Sequence, residues 1–223
     1  MKPIYLVTMM APTIFFGSCK QQIKGGSNEL IIGTGQMPAL TNDDKNLYVV
    51  YGTRDSIMYS FSDNLGREFS PPALIAVLPE LAASHMRGPQ IAATTDGIIV
   101  IASNKSGDIF SYRKDQSGKW SNTDKVNDVA DVSKEGLMAL SADGKNAFAV
   151  WLDLRDKHNK IFDASSKDGG QTWSANKLVY ASPDTTVCEC CKPSVAVKGQ
   201  NVYVMFRNWL HGNRDLHLIQ SGD

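Results

Sequence analysis

Two charged residues of opposite sign stand at matching places in this chain. Arg87 and Glu135 each lie two residues before a short apolar run, which begins at Pro89 and at Leu137. Gln36 and Cys191 hold the same place before Pro38 and Pro193. An arginine so placed can hold a ligand carboxylate by a two-pronged, charge-assisted bond. Equally, Arg87 and Glu135 can pair with each other and knit two units together. A second set of charges recurs as Arg54-Asp55, Arg155-Asp156 and Arg214-Asp215, with Arg207 as a further arginine. Arg155 and Arg207 are candidates for binding an acidic ligand. Recurrence at one place in the repeat also suits loop solvation and architecture. The third set is Cys188, Cys190 and Cys191. In an exported protein a disulfide is the default for such thiols. Three is odd, so one thiol is left over or pairs elsewhere. A zinc or copper site is the lesser alternative, because no His follows at ligand spacing, and neither a metal nor a cofactor is expected.

An internal repeat positions these residues. Ser166-Lys167-Asp168-Gly169-Gly170-Gln171-Thr172-Trp173 fits the S-x-D-x-G-x-T-W Asp box. Ser62 to Phe69 fits it with Asn64 for Asp and Phe69 for Trp, and Ser221-Gly222-Asp223 has its opening. Lys114 to Trp120 is a degenerate copy midway, with Gly118 and Trp120. Apolar or β-branched runs keep step with the boxes at Leu47–Val50, Ile98–Ile101, Ala147–Val150 and Val202–Met205. Each is preceded by a turn and another run (Pro38–Leu40, Pro89–Ala93, Leu137–Leu140, Pro193–Val197) and followed by a third (Ile57–Phe61, Ile109–Tyr112, Ile161–Ala164, Leu216–Gln220). A fourth follows the box, as at Lys177–Tyr180. Short strands between turn residues predict an all-β fold. Four strands per unit of roughly fifty residues predict the blade of a β-propeller.

In such a meander, the first-to-second strand turns and the Asp boxes share one face. The second-to-third loops and the connections between blades share the other. The boxes fill the first face with tight turns, in which Ser, Asp and Asn side chains bond nearby N–H groups. The second face is free for function, and its loops are expected at Gly52–Ser56, Ser103–Asp108, Leu152–Lys160 and Arg207–Asp215.

The chain has 223 residues and 23 basic against 23 acidic side chains. Zero net charge gives no electrostatic footprint for nucleic acid. Residues 1–18 read as a signal peptide: Lys2, then an apolar stretch from Ile4 to Phe16. Phe16-Gly17-Ser18-Cys19 resembles the bacterial lipobox, so Cys19 is expected to carry lipid and become the mature N-terminus. Lys20, where Asp would retain the protein at the inner membrane, points to the outer membrane of the cell envelope. Residues 19–28 read as a tether and 29–223 as a partial propeller.

Arg87-Gly88-Pro89-Gln90-Ile91-Ala92, with Thr95-Asp96-Gly97 after it, resembles the Arg-Ile-Pro segment and following turn of the bacterial sialidase (neuraminidase) superfamily. The resemblance implies a six-bladed propeller and an exo-acting glycoside hydrolase that cleaves terminal acidic sugars. It makes Arg87 one of three arginines gripping the sugar carboxylate. It makes Asp108, in the loop of the same blade, the general acid, beside a Tyr nucleophile assisted by a Glu. Gly88 departs from the family's Ile, and the other arginines and the Tyr belong to later blades. Six blades of this period need roughly 310 residues, so the chain is expected to be the first four blades of a longer reading frame. Glu135-Gly136-Leu137, Trp151-Leu152-Asp153-Leu154-Arg155 and Val187-Cys188-Glu189-Cys190-Cys191 resemble more closely a branch of secreted sialidase-like Asp-box proteins. That branch also admits a non-catalytic surface propeller that binds glycan or protein.

Overall fold

The computed structural model describes residues 29–221. The signal peptide (1–18), Cys19 and the whole tether (19–28) lie outside the described residues. Among the described residues, fifteen strands form four antiparallel sheets in strict sequence order. The first blade is β1 (Gln36–Asn42), β2 (Leu47–Thr53), β3 (Ser56–Ser62) and β4 (Ala73–Val77). The second is β5 (Gln90–Thr94), β6 (Gly97–Ser103), β7 (Ile109–Asp115) and β8 (Trp120–Lys125). The third is β9 (Met138–Asp143), β10 (Asn146–Asp153), β11 (Lys160–Ser166) and β12 (Lys177–Tyr180). The fourth has three strands, β13 (Ser194–Lys198), β14 (Asn201–Leu210) and β15 (Asn213–Ser221). The inner strands neighbour one another in order, β1 by β5, β5 by β9 and β9 by β13. This is the radial packing of a β-propeller, with four blades among the described residues.

The period-2 rule explains the cores. A strand with both faces buried reads as a continuous apolar run. In β6, Ile98, Val100 and Ala102 face the first blade and meet Val50, Ile57 and Tyr59. Ile99 and Ile101 face the other way and meet Met138, Ala149 and Trp151 of the third blade. In β10, Val150 and Leu152 turn towards Val204 and Phe206 of the fourth. Each core is thus a layer between two blades. Each fully buried Ile or Leu contributes about 1.5–3 kcal/mol relative to exposure.

The Asp boxes close the turns between third and fourth strands. In the full box, Asp168 Oδ1 accepts from the Gln171 and Thr172 N–H groups at 3.0 Å each and from Ser166 Oγ at 2.7 Å. Gly170 N–H donates to Ser166 Oγ. Gly170 has φ +82°, and a Cβ there would stand 2.7 Å from Ile99 Cδ1 of the second blade, so only glycine fits. Trp173 packs against the same inter-blade layer. Asn64 repeats the Asp role in the first box, and Asp115 does so in the degenerate one, where it accepts from Ser117 and Lys119. Arg113 bonds both Gly169 O of a box and Asp96 O of a first-to-second strand turn, so boxes and those turns do share a face.

One expected loop is corrected. Arg207–Asp215 is mostly strand: β14 and β15 pair from Arg207↔Leu216 to Leu210↔Asn213 around His211-Gly212. His211 (φ 49°) and Gly212 (φ 79°) make a two-residue turn of the hairpin type. Arg214 lies opposite Trp209 and stacks over its ring at 4.5 Å, so a polar stretch that reads as loop is held by a cross-strand cation–π pair.

Candidate functional site

On the face away from the boxes, the connections between blades lie along the second-to-third strand loops. Lys105 N–H bonds Glu80 O, Ser133 N–H bonds Gly107 O, and Val187 N–H bonds Asn159 O. Among the described residues, nine that are not glycine have positive φ, and eight of them are on this face. Leu65, in a box, is the exception. Each such backbone costs roughly 1–2 kcal/mol for an L-residue, and such strain gathers at functional sites. Two of the eight, His85 (φ 49°) and Met86 (φ 69°), directly precede Arg87.

Arg87 is fixed by its backbone before its side chain. Its N–H bonds Ser84 O at 3.0 Å, closing the turn that carries His85 and Met86. Its side chain reaches the neighbouring blade, where Nη2 donates to Glu135 Oε2 at 3.1 Å. Nη1 donates to His85 O at 3.4 Å. The Arg87–Glu135 contact joins one nitrogen to one oxygen, and the two side chains keep 31% and 27% of their surface open. A pair this exposed contributes only about 0–1 kcal/mol. Gly88 follows because Met37 of the first blade presses on it: a Cβ at position 88 would lie 2.4 Å from Met37 Cβ. That contact accounts for glycine where the family resembled has Ile.

The same face gathers residues that spacing did not bring together. Gln90 Oε1 accepts from Lys192 Nζ at 2.9 Å, joining the second blade to the connection that precedes β13. Beside Lys192, Cys191 Sγ lies 3.8 Å from Arg207 Nη1. Arg207 also donates through Nε to Arg214 O. Cys188, Cys190 and Cys191 are all free thiols, with sulfurs 3.3 to 3.7 Å apart. Burial pushes the Cys188 thiol up to about 11. Burial acts the same way on Cys191, but the Arg207 guanidinium and the adjoining sulfurs outweigh it and lower that thiol.

Asp108 and Arg155 have other partners. Asp108 is largely buried, with Lys125 Nζ at 2.7 Å on Oδ2 and Asn127 Nδ2 at 3.3 Å on Oδ1. Burial raises its pKa, yet these donors and the Asp131 N–H overcome that and hold it below the usual carboxylate range. At neutral pH it is therefore an anion. Arg155 is gripped from two sides by buried Asp153, at 2.9 and 3.0 Å, and bonds Asn176 and Asp128. Its guanidinium stacks 4.0 Å over the Phe162 ring. Its near partner is Asp153 instead of Asp156, which pairs with Lys160. The W-L-D-L-R segment encodes this cluster, since Trp151 Nε1 also donates to Asp153 at 2.8 Å. Arg87, Glu135 and Arg207 thus lie on the open face, while Arg155 is committed to its own blade and to Asp128.

No protein-family model matches the sequence, and no curated protein matches it. Solved structures do match. The α-L-arabinanase of Penicillium chrysogenum complexed with arabinobiose aligns at a TM-score of 0.60 with 11% identity, over 88% of this chain and 65% of that one. The lectin of Aleuria aurantia, a six-bladed β-propeller with a fucose recognition mode, aligns at 0.54 with 14% identity, over 81% of this chain and 59% of that one. The chain spans less than two thirds of either. At these identities the likeness establishes the fold: four-stranded blades arranged as in a six-bladed β-propeller.

Proposed function

We propose that the chain is a carbohydrate-recognising β-propeller that takes an acidic sugar on the face away from its Asp boxes. The observation that carries this reading is the half-open Arg87–Glu135 pair. One guanidinium nitrogen meets one carboxylate oxygen there, and a ligand carboxylate offering a two-pronged bond would displace Glu135 from Arg87. Backbone strain around Arg87 supports it. So do the fold relatives, one described with arabinobiose and one as a fucose-recognising lectin. A glycan array with acidic and neutral sugars, followed by titration calorimetry on the best ligand, tests the idea. Arg87→Ala should abolish binding. Glu135→Gln should leave it intact or tighten it, because the competing carboxylate is gone. A blank array, or tight binding by Arg87→Ala, would refute it.

The hydrolytic form of the reading makes the chain part of an exo-acting glycosidase of sialidase type, with Asp108 as the acid. Its support is the position of Asp108 in the loop of the Arg87 blade. In its present setting Asp108 is an anion, so the reaction would need a substrate that displaces Lys125 and raises its pKa. Turnover of a fluorogenic sialoside that Asp108→Ala leaves unchanged would remove Asp108 from the mechanism. We further propose lipid anchoring at Cys19 in the cell envelope. Cys19→Ala should move the protein from the membrane fraction to the soluble one.

A further inference from the structure

The three cysteines follow one another within four residues, yet they do not splay apart. Their sulfurs form a nearly even triangle with sides of 3.3, 3.6 and 3.7 Å. No other titratable or ligating trio of His, Cys, Asp or Glu among the described residues converges in this way. A disulfide would use two of the three and leave the last without a role. A single centre would use all of them.

The geometry suits one class of occupant. The corners of the triangle lie about 2.0 Å from a common centre, and a Zn–S bond is about 2.3 Å. An ion at that distance would sit about 1 Å out of the sulfur plane, with a fourth position open. Thiolate ligands select soft cations, Cu(I) or Zn(II), over Mg(II) or Ca(II). We infer that Cys188, Cys190 and Cys191 together form a three-thiolate site for a thiophilic d10 cation, Zn(II) or Cu(I).

The surroundings fit that task. Three thiolates with Zn(II) leave one negative charge, and the Arg207 guanidinium stands 3.8 Å from Cys191 Sγ to offset it. The segment is pinned at its base, because Cys188 N–H bonds Arg207 O at 3.1 Å and Val187 bridges Asn208. Cys188 is buried and Cys190 exposed, so the site is anchored on one side and reachable on the other. It stands next to Lys192, which touches Gln90 of the Arg87 blade, but it does not depend on a sugar being bound.

The test uses the full chain, reduced and desalted without oxygen. Zn(II) is titrated in competition with a chromophoric chelator, and Cu(I) in competition with bicinchoninate. Co(II) serves as a spectroscopic probe. One equivalent of cation should bind, with sulfur-to-cobalt charge-transfer absorption in the near ultraviolet. The cation held more tightly names the occupant. Cys190→Ser and Cys191→Ser should each weaken binding about tenfold or more, and Arg207→Gln by a smaller factor. Cys188→Ser risks misfolding because Cys188 is buried, so the other two variants carry the test. Arg87→Ala should bind the cation as wild type does, which separates this site from the sugar site. Failure of the reduced chain to take up one equivalent of either cation would overturn the inference. So would uptake that survives the Cys190→Ser/Cys191→Ser double variant.

Discussion

Asp163→Asn should stabilise this propeller, and by an amount that depends on pH. Asp163 sits in β11 opposite Lys177 of β12 and is almost wholly buried. Burial raises its pKa from 3.8 to about 6, and the Lys177 charge offsets only part of that rise. A carboxyl with a raised pKa favours the fold below pH 3.8, where it is neutral in both states. That contribution is lost as pH climbs through about 6. A shift of about 2 units corresponds to about 3 kcal/mol at full separation of the two pKa values. About 1 kcal/mol of it is already lost at pH 4.5, so at most about 2 kcal/mol should disappear between pH 4.5 and 7.5. Asn keeps the shape and cannot ionise. The stability difference between variant and wild type should therefore grow by about 1–2 kcal/mol across that interval and then level off. Urea unfolding of both proteins at half-unit pH steps would measure it, with equal denaturant slopes as the check on two-state behaviour. A variant–wild-type difference that stays constant with pH would show that Asp163 titrates like a free carboxylate, and the burial argument would fail.

Three further outcomes follow from the same geometry. Asp168→Asn should cost about 1 kcal/mol near neutrality, discounted for the solvent around the box, with the cost fading as pH falls from 3.8 through about 2, where the carboxylate protonates; thermal melts at pH 7 and pH 3 compare the two. Asp153→Asn should destabilise by about 3–5 kcal/mol, because it leaves the Arg155 charge without its two-pronged partner in a buried setting; chemical unfolding reads it, and a loss below 1 kcal/mol would mean that Asp128 can replace Asp153. Gly170→Ala should cost about 2–3 kcal/mol, from the positive φ and the collision with Ile99; Gly144→Ala, with positive φ but no neighbour within 4 Å, should cost only about 1 kcal/mol and separates the two causes.

The repeat and the blades are legible in the sequence because they rest on short-range chemistry. A box closes through bonds between residues two to four apart, as from Ser166 to Asp168 and from Thr172 to Asp168. Strand faces follow from a period of two, so Ile98 to Ala102 announces a doubly buried strand. Where the sequence misleads, the cause is a cross-strand contact: Trp209 and Arg214 stack and extend a hairpin through residues that read as loop. Partner choice is a different matter. Arg155 has an Asp on either side of it in sequence, and only the packing around Trp151 assigns it to Asp153. The alignment of Arg87 with Glu135 put them on adjacent blades, but their one-point, half-open contact depends on side-chain reach across 48 residues. Lys192 meeting Gln90 across 102 residues has no local trace at all. Cys188, Cys190 and Cys191 are neighbours in any conformation. Turning their three sulfurs to one centre beside Arg207 took the pinning of their segment on β14, a contact that exists only once the blades have packed.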